Sequence, residues 1–113
     1  MRLMTWLALV AVLTSCVTLV RASAEDAAPV VLTITDDTFT PTEITVPAGK
    51  AFVLKVINKT AAAAEFEAQD LKIEKVMTGD SDITVSVRAM DPGRYLFVNE
   101  YKEDTVKGYL IVK

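Results

Sequence analysis

The chain has 113 residues with 12 basic and 15 acidic side chains, no histidine and one cysteine. A net charge of −3 offers little to nucleic acid or an anionic membrane surface. Without histidine the usual serine and cysteine acyl-transfer pairs have no base, and the four glycines stand singly, so there is no phosphate-cradling loop.

Met1 and Arg2 give a basic start, Leu3 to Val20 is apolar or small almost throughout, and Arg21 is followed by Ala22-Ser23-Ala24. This is the pattern of an export signal, and it predicts a leader over residues 1–24, cleaved before Glu25, and one domain over residues 25–113 in the periplasm. Two other readings stay open. The apolar run approaches the length of a membrane-spanning helix, although Thr5, Thr14, Ser15 and Thr18 dilute it. Leu13-Thr14-Ser15-Cys16 also resembles the box at which a bacterial lipoprotein is cut and lipidated on its cysteine, but Val17-Thr18-Leu19-Val20 stays apolar where such proteins usually turn polar. Cleavage would remove two of the 12 basic residues and none of the 15 acidic ones, leaving ten against fifteen, a net charge of −5. Cys16 would leave with the leader, so no disulfide or thiolate remains and the domain depends on its core alone.

From Val31 the pattern has period two. Val31, Thr33 and Thr35 face one way and Leu32 and Ile34 the other, which predicts a half-buried strand. A turn through Asp36-Asp37 and Phe39-Thr40-Pro41 leads to a strand carrying Ile44 and Val46, ended by Pro47-Ala48-Gly49-Lys50. Phe52 to Ile57 is apolar on both faces and predicts a central strand, which Asn58 ends. Thr60 to Phe66, with four successive alanines, predicts a loop or edge segment, since four residues do not nucleate a helix. Gln69 to Lys75 reads as a short helical turn or an irregular crossover, and Thr78 to Ser81 as a turn. Ile83 to Val87 is a clean strand, Asp91-Pro92-Gly93 a turn, and Tyr95 to Asn99 and Tyr109 to Lys113 alternate as strands around the polar loop Glu100 to Val106. Short strands spaced by turn signals predict an all-β Greek-key sandwich of seven or eight strands.

The donors suited to chemistry fall in two acidic groups, Glu65-Phe66-Glu67 with Asp70, and Asn99-Glu100-Tyr101 with Glu103-Asp104. Residues two apart on an extended segment share a face, so Glu65 and Glu67 converge while Phe66 turns inward. Carboxylates are hard ligands, suited to ferric iron, manganese or calcium and poorly to cuprous copper. The competing reading of each acid is solvated surface charge. Met77 and Met90 read as core or edge fillers.

Phe39-Thr40-Pro41, Ile44-x-Val46-Pro47-Ala48-Gly49-Lys50, the Phe52-Val53-Leu54 strand and Asn58 resemble the opening of cupredoxins. Pro92-Gly93-x-Tyr95-x-Phe97 and Lys107-Gly108-x-Leu110-x-Val112 resemble their last two strands. The resemblance implies a copper site whose first histidine would fall at about Glu65, whose cysteine would fall near Asn99, and whose later ligands would fall within Lys102 to Val106. None of those residue types is present, so a type 1 copper site is excluded. Glu65-Phe66-Glu67, Asp70-Leu71-x-Ile73-Glu74-Lys75-Val76 and Phe97-x-x-Glu100-Tyr101 are more similar to the iron-transport-associated branch, periplasmic proteins that accompany bacterial iron permeases.

That resemblance implies an accessory protein of ferrous-iron uptake. It would bind iron or copper at Glu65, Glu67 and Glu100, with Asn99 or Glu103 assisting, and aid oxidation or delivery to an inner-membrane permease. Relatives often carry a second acid and a histidine where this chain has Asn99-Glu100-Tyr101-Lys102, and Lys102 adds a positive charge that weakens cation binding. Two alternatives belong to other classes. One is a metal-free periplasmic module that docks a permease or another membrane partner, and the other, disfavoured by the missing histidine and cysteine, is an electron carrier. A homodimer sharing the acidic site is also open.

Overall fold

The computed structural model describes residues 28–113, so the expected leader and Cys16 lie outside the described residues. Nine strands follow in chain order: β1 (Val30–Ile34), β2 (Phe39–Thr40), β3 (Glu43–Val46), β4 (Phe52–Asn58), β5 (Ala64–Ala68), β6 (Ile73–Met77), β7 (Ser81–Val87), β8 (Gly93–Asn99) and β9 (Lys107–Val112). They form two sheets, one ordered β2-β1-β4-β7 and the other β3-β9-β8-β5-β6. β1 runs parallel to β4 and β3 to β9, and the remaining neighbours are antiparallel.

The all-β sandwich is the expected architecture, with nine strands in place of seven or eight. Phe39–Thr40 forms a two-residue strand on β1, and the segments read as a loop and a crossover form the antiparallel hairpin β5–β6. The hairpin is closed by a single 3-10 turn, Gln69–Leu71, after which Lys72 takes φ 55° and its N–H donates to the Gln69 carbonyl at 3.0 Å. Propensity favours neither alanine nor glutamate in a strand. Burial decides instead: Ala64, Phe66 and Ala68 are fully covered, and Ile73 and Met77 opposite Ala68 and Ala64 are buried too.

The core between the sheets is built by the alternation read from the sequence. Leu32, Ile34, Ile44, Val46, Leu54, Val56, Leu110 and Val112 all point inward. At one end three rings meet. Phe39 lies edge-on to Phe97 at 4.9 Å and to Phe66 at 6.1 Å, while Phe66 and Phe97 are 5.9 Å apart. Such pairs contribute about 0.5–1.5 kcal/mol each beyond burial, and here they clamp β2 of one sheet to β5 and β8 of the other.

Asn58, 1 % exposed, organises the crossing into β5. Its Nδ2 donates to the carbonyls of Ala62 at 2.9 Å and Thr78 at 3.0 Å, and its Oδ1 accepts from the Thr60 N–H at 3.0 Å and the Thr60 hydroxyl at 2.7 Å. One side chain therefore holds the end of β4, the loop before β5 and the exit of β6. Among the described residues no buried side-chain polar atom lacks a partner.

Gly108 on β9 marks where the backbone itself is packed. A Cβ there would stand 2.5 Å from the Phe97 ring and 2.5 Å from the Thr42 carbonyl oxygen. Gly108→Ala is expected to lower stability by about 1–3 kcal/mol through overpacking, read as a shift of the denaturant midpoint with an unchanged slope; a neutral result would mean that the aromatic corner yields.

Candidate metal centre

Because Phe66 is buried, Glu65 and Glu67 on either side of it stand on the outer face of the five-stranded sheet. β6 lies antiparallel to β5 with Glu74 directly opposite Glu67 and Val76 opposite Glu65, which puts Glu74 on the same face. β8 flanks β5 on its other side and ends at Asn99, and the chain then makes a 3-10 turn over Glu100–Lys102. Asn99, 5 % exposed, links these pieces. Its Oδ1 accepts from the backbone N–H of Glu65 at 3.1 Å and from that of Tyr101 at 3.3 Å, fixing the start of β5 against the turn that carries Glu100.

The result is a convergence of three acids. One carboxylate oxygen from each of Glu65, Glu74 and Glu100 lies within 4.8 Å of the other two. Donors held about 2.0–2.5 Å from a cation stand at most about 5 Å apart, so this spacing matches a single hard ion. The acids also perturb one another. The Glu65 carboxyl is pushed up to about 7, first by its hydrogen bond with Glu74, then by that with Glu100, then by burial and the two negative charges. Glu67 is raised as well, by burial first and then by the charges of Glu100, Glu74 and Glu103. Paired carboxyls cannot all ionise cheaply, and a cation would relieve the repulsion.

The five residues singled out in the sequence divide by position. Glu65 and Glu100 belong to the three-acid cluster. Glu67 and Glu103 line a shallow cavity beside it, together with Gln69, Asp70, Leu96 and Val98. The Asn99 oxygen is occupied by two backbone donors. Glu74 was not singled out as a ligand; it becomes visible only once residues 73–77 are read as a strand folded back on β5, since that register sets it beside Glu67. The ammonium of Lys102 donates to the Asp36 carbonyl at 3.2 Å, at the turn between β1 and β2.

The model of the cupredoxin-like domain matches residues 3–112, nearly the whole chain. The chain belongs to the cupredoxin-like domain family. Solved cupredoxin folds superpose on it well. The metal-binding domain of the Cu(I)-exporting P-type ATPase CopA of Streptococcus pneumoniae, with Cu(I), gives a TM-score of 0.67 at 16% identity over 75% of this chain and 84% of that one. Auracyanin A, a blue copper protein of Chloroflexus aurantiacus, gives 0.62 at 16% identity over 76% and 98%. An oxidised variant of amicyanin gives 0.60 at 16% identity over 80% and 90%. At such identities the likeness is one of fold. An uncharacterized protein of Rickettsia prowazekii is 31% identical over 81 residues, 72% of this chain, and the chain spans 65% of that relative's length.

The donor set does not fit the copper of the blue members of the fold. A type 1 centre needs two imidazoles and a thiolate, and residues 28–113 contain no histidine or cysteine. What this cupredoxin-like chain offers is carboxylate oxygen alone.

The shared proton gives the domain a pH dependence that runs against the usual carboxylate case. Glu65 has a folded value near 7 against an ordinary value of 4.5, so between those limits the folded state holds a proton that the unfolded chain releases. Its contribution is complete below about pH 4.5 and is lost as pH rises through 7. The melting temperature of the metal-free protein is expected to fall across that window, and Glu65→Gln is expected to flatten the slope and raise the melting temperature at pH 8. A wild-type slope unchanged in the variant would show that Glu65 does not hold the proton.

Proposed function

We propose that this cupredoxin-like protein binds iron through Glu65, Glu74 and Glu100, with Glu67 and Glu103 adding negative charge beside them. We place it in the periplasm as an accessory of bacterial ferrous-iron uptake, handing iron to an inner-membrane permease. The observation that carries the proposal is the meeting of those three carboxylates from two adjacent strands and a following turn within 4.8 Å. Hard, anionic oxygen donors favour iron, manganese or calcium over cuprous copper. Iron is chosen among them because the motifs around Glu65, Glu74 and Glu100 resemble the iron-transport branch, and the export pattern of residues 1–24 supports the compartment.

In mechanism, the cluster would take ferrous iron as substrate and displace the proton held on Glu65. Three carboxylates stabilise the trivalent ion more than the divalent one, since the attraction scales with the ion's charge. The site would therefore lower the potential of bound iron and favour its oxidised form when an electron acceptor is present. Cupric copper, a harder ion than cuprous, is the second metal such a site accepts, in keeping with the copper-binding proteins that share the fold.

Calorimetric titration of the protein with ferrous iron under anaerobic conditions, with manganese and with cupric copper tests this directly. One saturable site is expected in the wild type, lost in a Glu65→Gln, Glu100→Gln double variant and weakened in Glu74→Gln. Because binding competes with a proton, affinity is expected to rise with pH up to about 7, by at most about tenfold per unit. Absence of binding by the wild type, or binding untouched by the double variant, would sink the proposal.

A further inference from the structure

Beside the acid cluster, on the same outer face, lies a shallow cavity of about 170 Å³ lined by Glu67, Gln69, Asp70, Leu96, Val98 and Glu103. It is smaller than the range of about 300–1,000 Å³ typical of small-molecule sites, yet has room for several waters or the end of one side chain. Its lining is two-sided in character. Leu96 is 41 % exposed and Val98 lies outside the core between the sheets, so both offer apolar surface to the outside. Three acids stand around them, and neither of the two ion pairs among the described residues, Lys55–Asp82 and Arg94–Glu43, involves any of the three. Lys107, across from Val98 on β9, forms neither pair and leaves the acids uncompensated.

We propose that this cavity docks an arginine side chain presented by a partner protein. The lining decides against a bare metal ion, to which Leu96 and Val98 contribute nothing, and in favour of a group that is apolar along its stem and cationic at its tip. A methylene stem would lie over Leu96 and Val98 while the head group meets Glu67, Asp70 and Glu103 and the Gln69 amide. A guanidinium suits acids arriving from more than one side better than an ammonium does, because its five donors are spread over a planar fork. The backbone on the acidic rim is itself pinned: Arg88 donates to the carbonyls of Leu71 at 3.2 Å and Asp70 at 3.5 Å, holding the turn that supplies Gln69 and Asp70. The docking surface needs no metal and stands apart from the iron proposal.

The test is a nitrogen-15 NMR titration of the metal-free protein, expressed from the full chain, with the peptide Gly-Ser-Gly-Arg-Gly-Ser-Gly. The same peptide with citrulline or lysine in place of arginine, and magnesium chloride alone, serve as comparisons. Saturable shifts confined to the amides around Gln69, Asp70, Leu96, Val98 and Glu103 are expected with arginine, weaker ones with lysine and none with citrulline. Asp70→Asn and Glu103→Gln are each expected to weaken binding about two- to fivefold, the scale of a partly exposed ion pair, and Leu96→Ser to weaken it without altering the charge. Equal shifts with citrulline, shifts scattered over the surface, or magnesium reproducing the arginine shifts at the same amides would each overturn the proposal. Loss of iron binding in the Glu65→Gln, Glu100→Gln variant with arginine docking intact would separate the two sites.

Discussion

The outer acidic face depends on one buried oxygen. Asn99 Oδ1 accepts from Glu65 and Tyr101 at once, and no other described contact joins the first turn of β5 to the segment beyond β8 through a side chain in this way. An amide oxygen has two acceptor positions, and both are used. Truncating the side chain would strand two backbone donors in a covered site, at a cost of about 1–3 kcal/mol for each one left unpaired. It would also release Glu100 from Glu65. In this chain the residue at the cysteine position of the copper-binding relatives has a structural task, and the acids it positions carry the charge.

Asn58 does the corresponding work at the other end of β5, where the strand is entered. Between the two asparagines the strand has no freedom of register. Phe66 is locked among Phe39 and Phe97, and a slip of one residue would bury Glu65 and Glu67 and expose the ring. The energy that holds the carboxylates together thus comes from the aromatic corner and the two buried amides, because the carboxylates themselves repel.

Much of this was legible in the residues. Period-two alternation marked Leu32 and Ile34 as core, the doubly apolar run Phe52 to Ile57 as an inner strand, and Glu65-Phe66-Glu67 as acids astride a buried ring; each follows from the pleat alone. The hairpin of β5 and β6 was not legible. Ala61 to Ala64 and Gln69 to Lys75 carry no strand propensity, and their pairing is imposed by burial of Ala64, Phe66 and Ala68 against Ile73 and Met77, a tertiary effect that no local window contains. Glu74 stayed hidden for the same reason. The position of Lys102 was hidden too: sequence distance set its charge beside Glu100, whereas the 3-10 turn carries its ammonium to the Asp36 carbonyl.

Glu67 joins the two features of this face. It lines the cavity with Asp70 and Glu103, and its carboxyl feels Glu100 and Glu74 from the cluster as well as Glu103 from the cavity rim. Charge placed in either location is therefore felt in the other across a single strand. A cation in the cluster and a cationic side chain in the cavity would each lower the negative potential that attracts the other. Coupling of this kind is reciprocal by necessity, whatever its size. On a sheet face whose backbone is fixed from beneath by Phe66 and Asn99, such coupling requires no conformational change; it is carried by the field of four or five carboxylates held close by a core that takes no part in the binding.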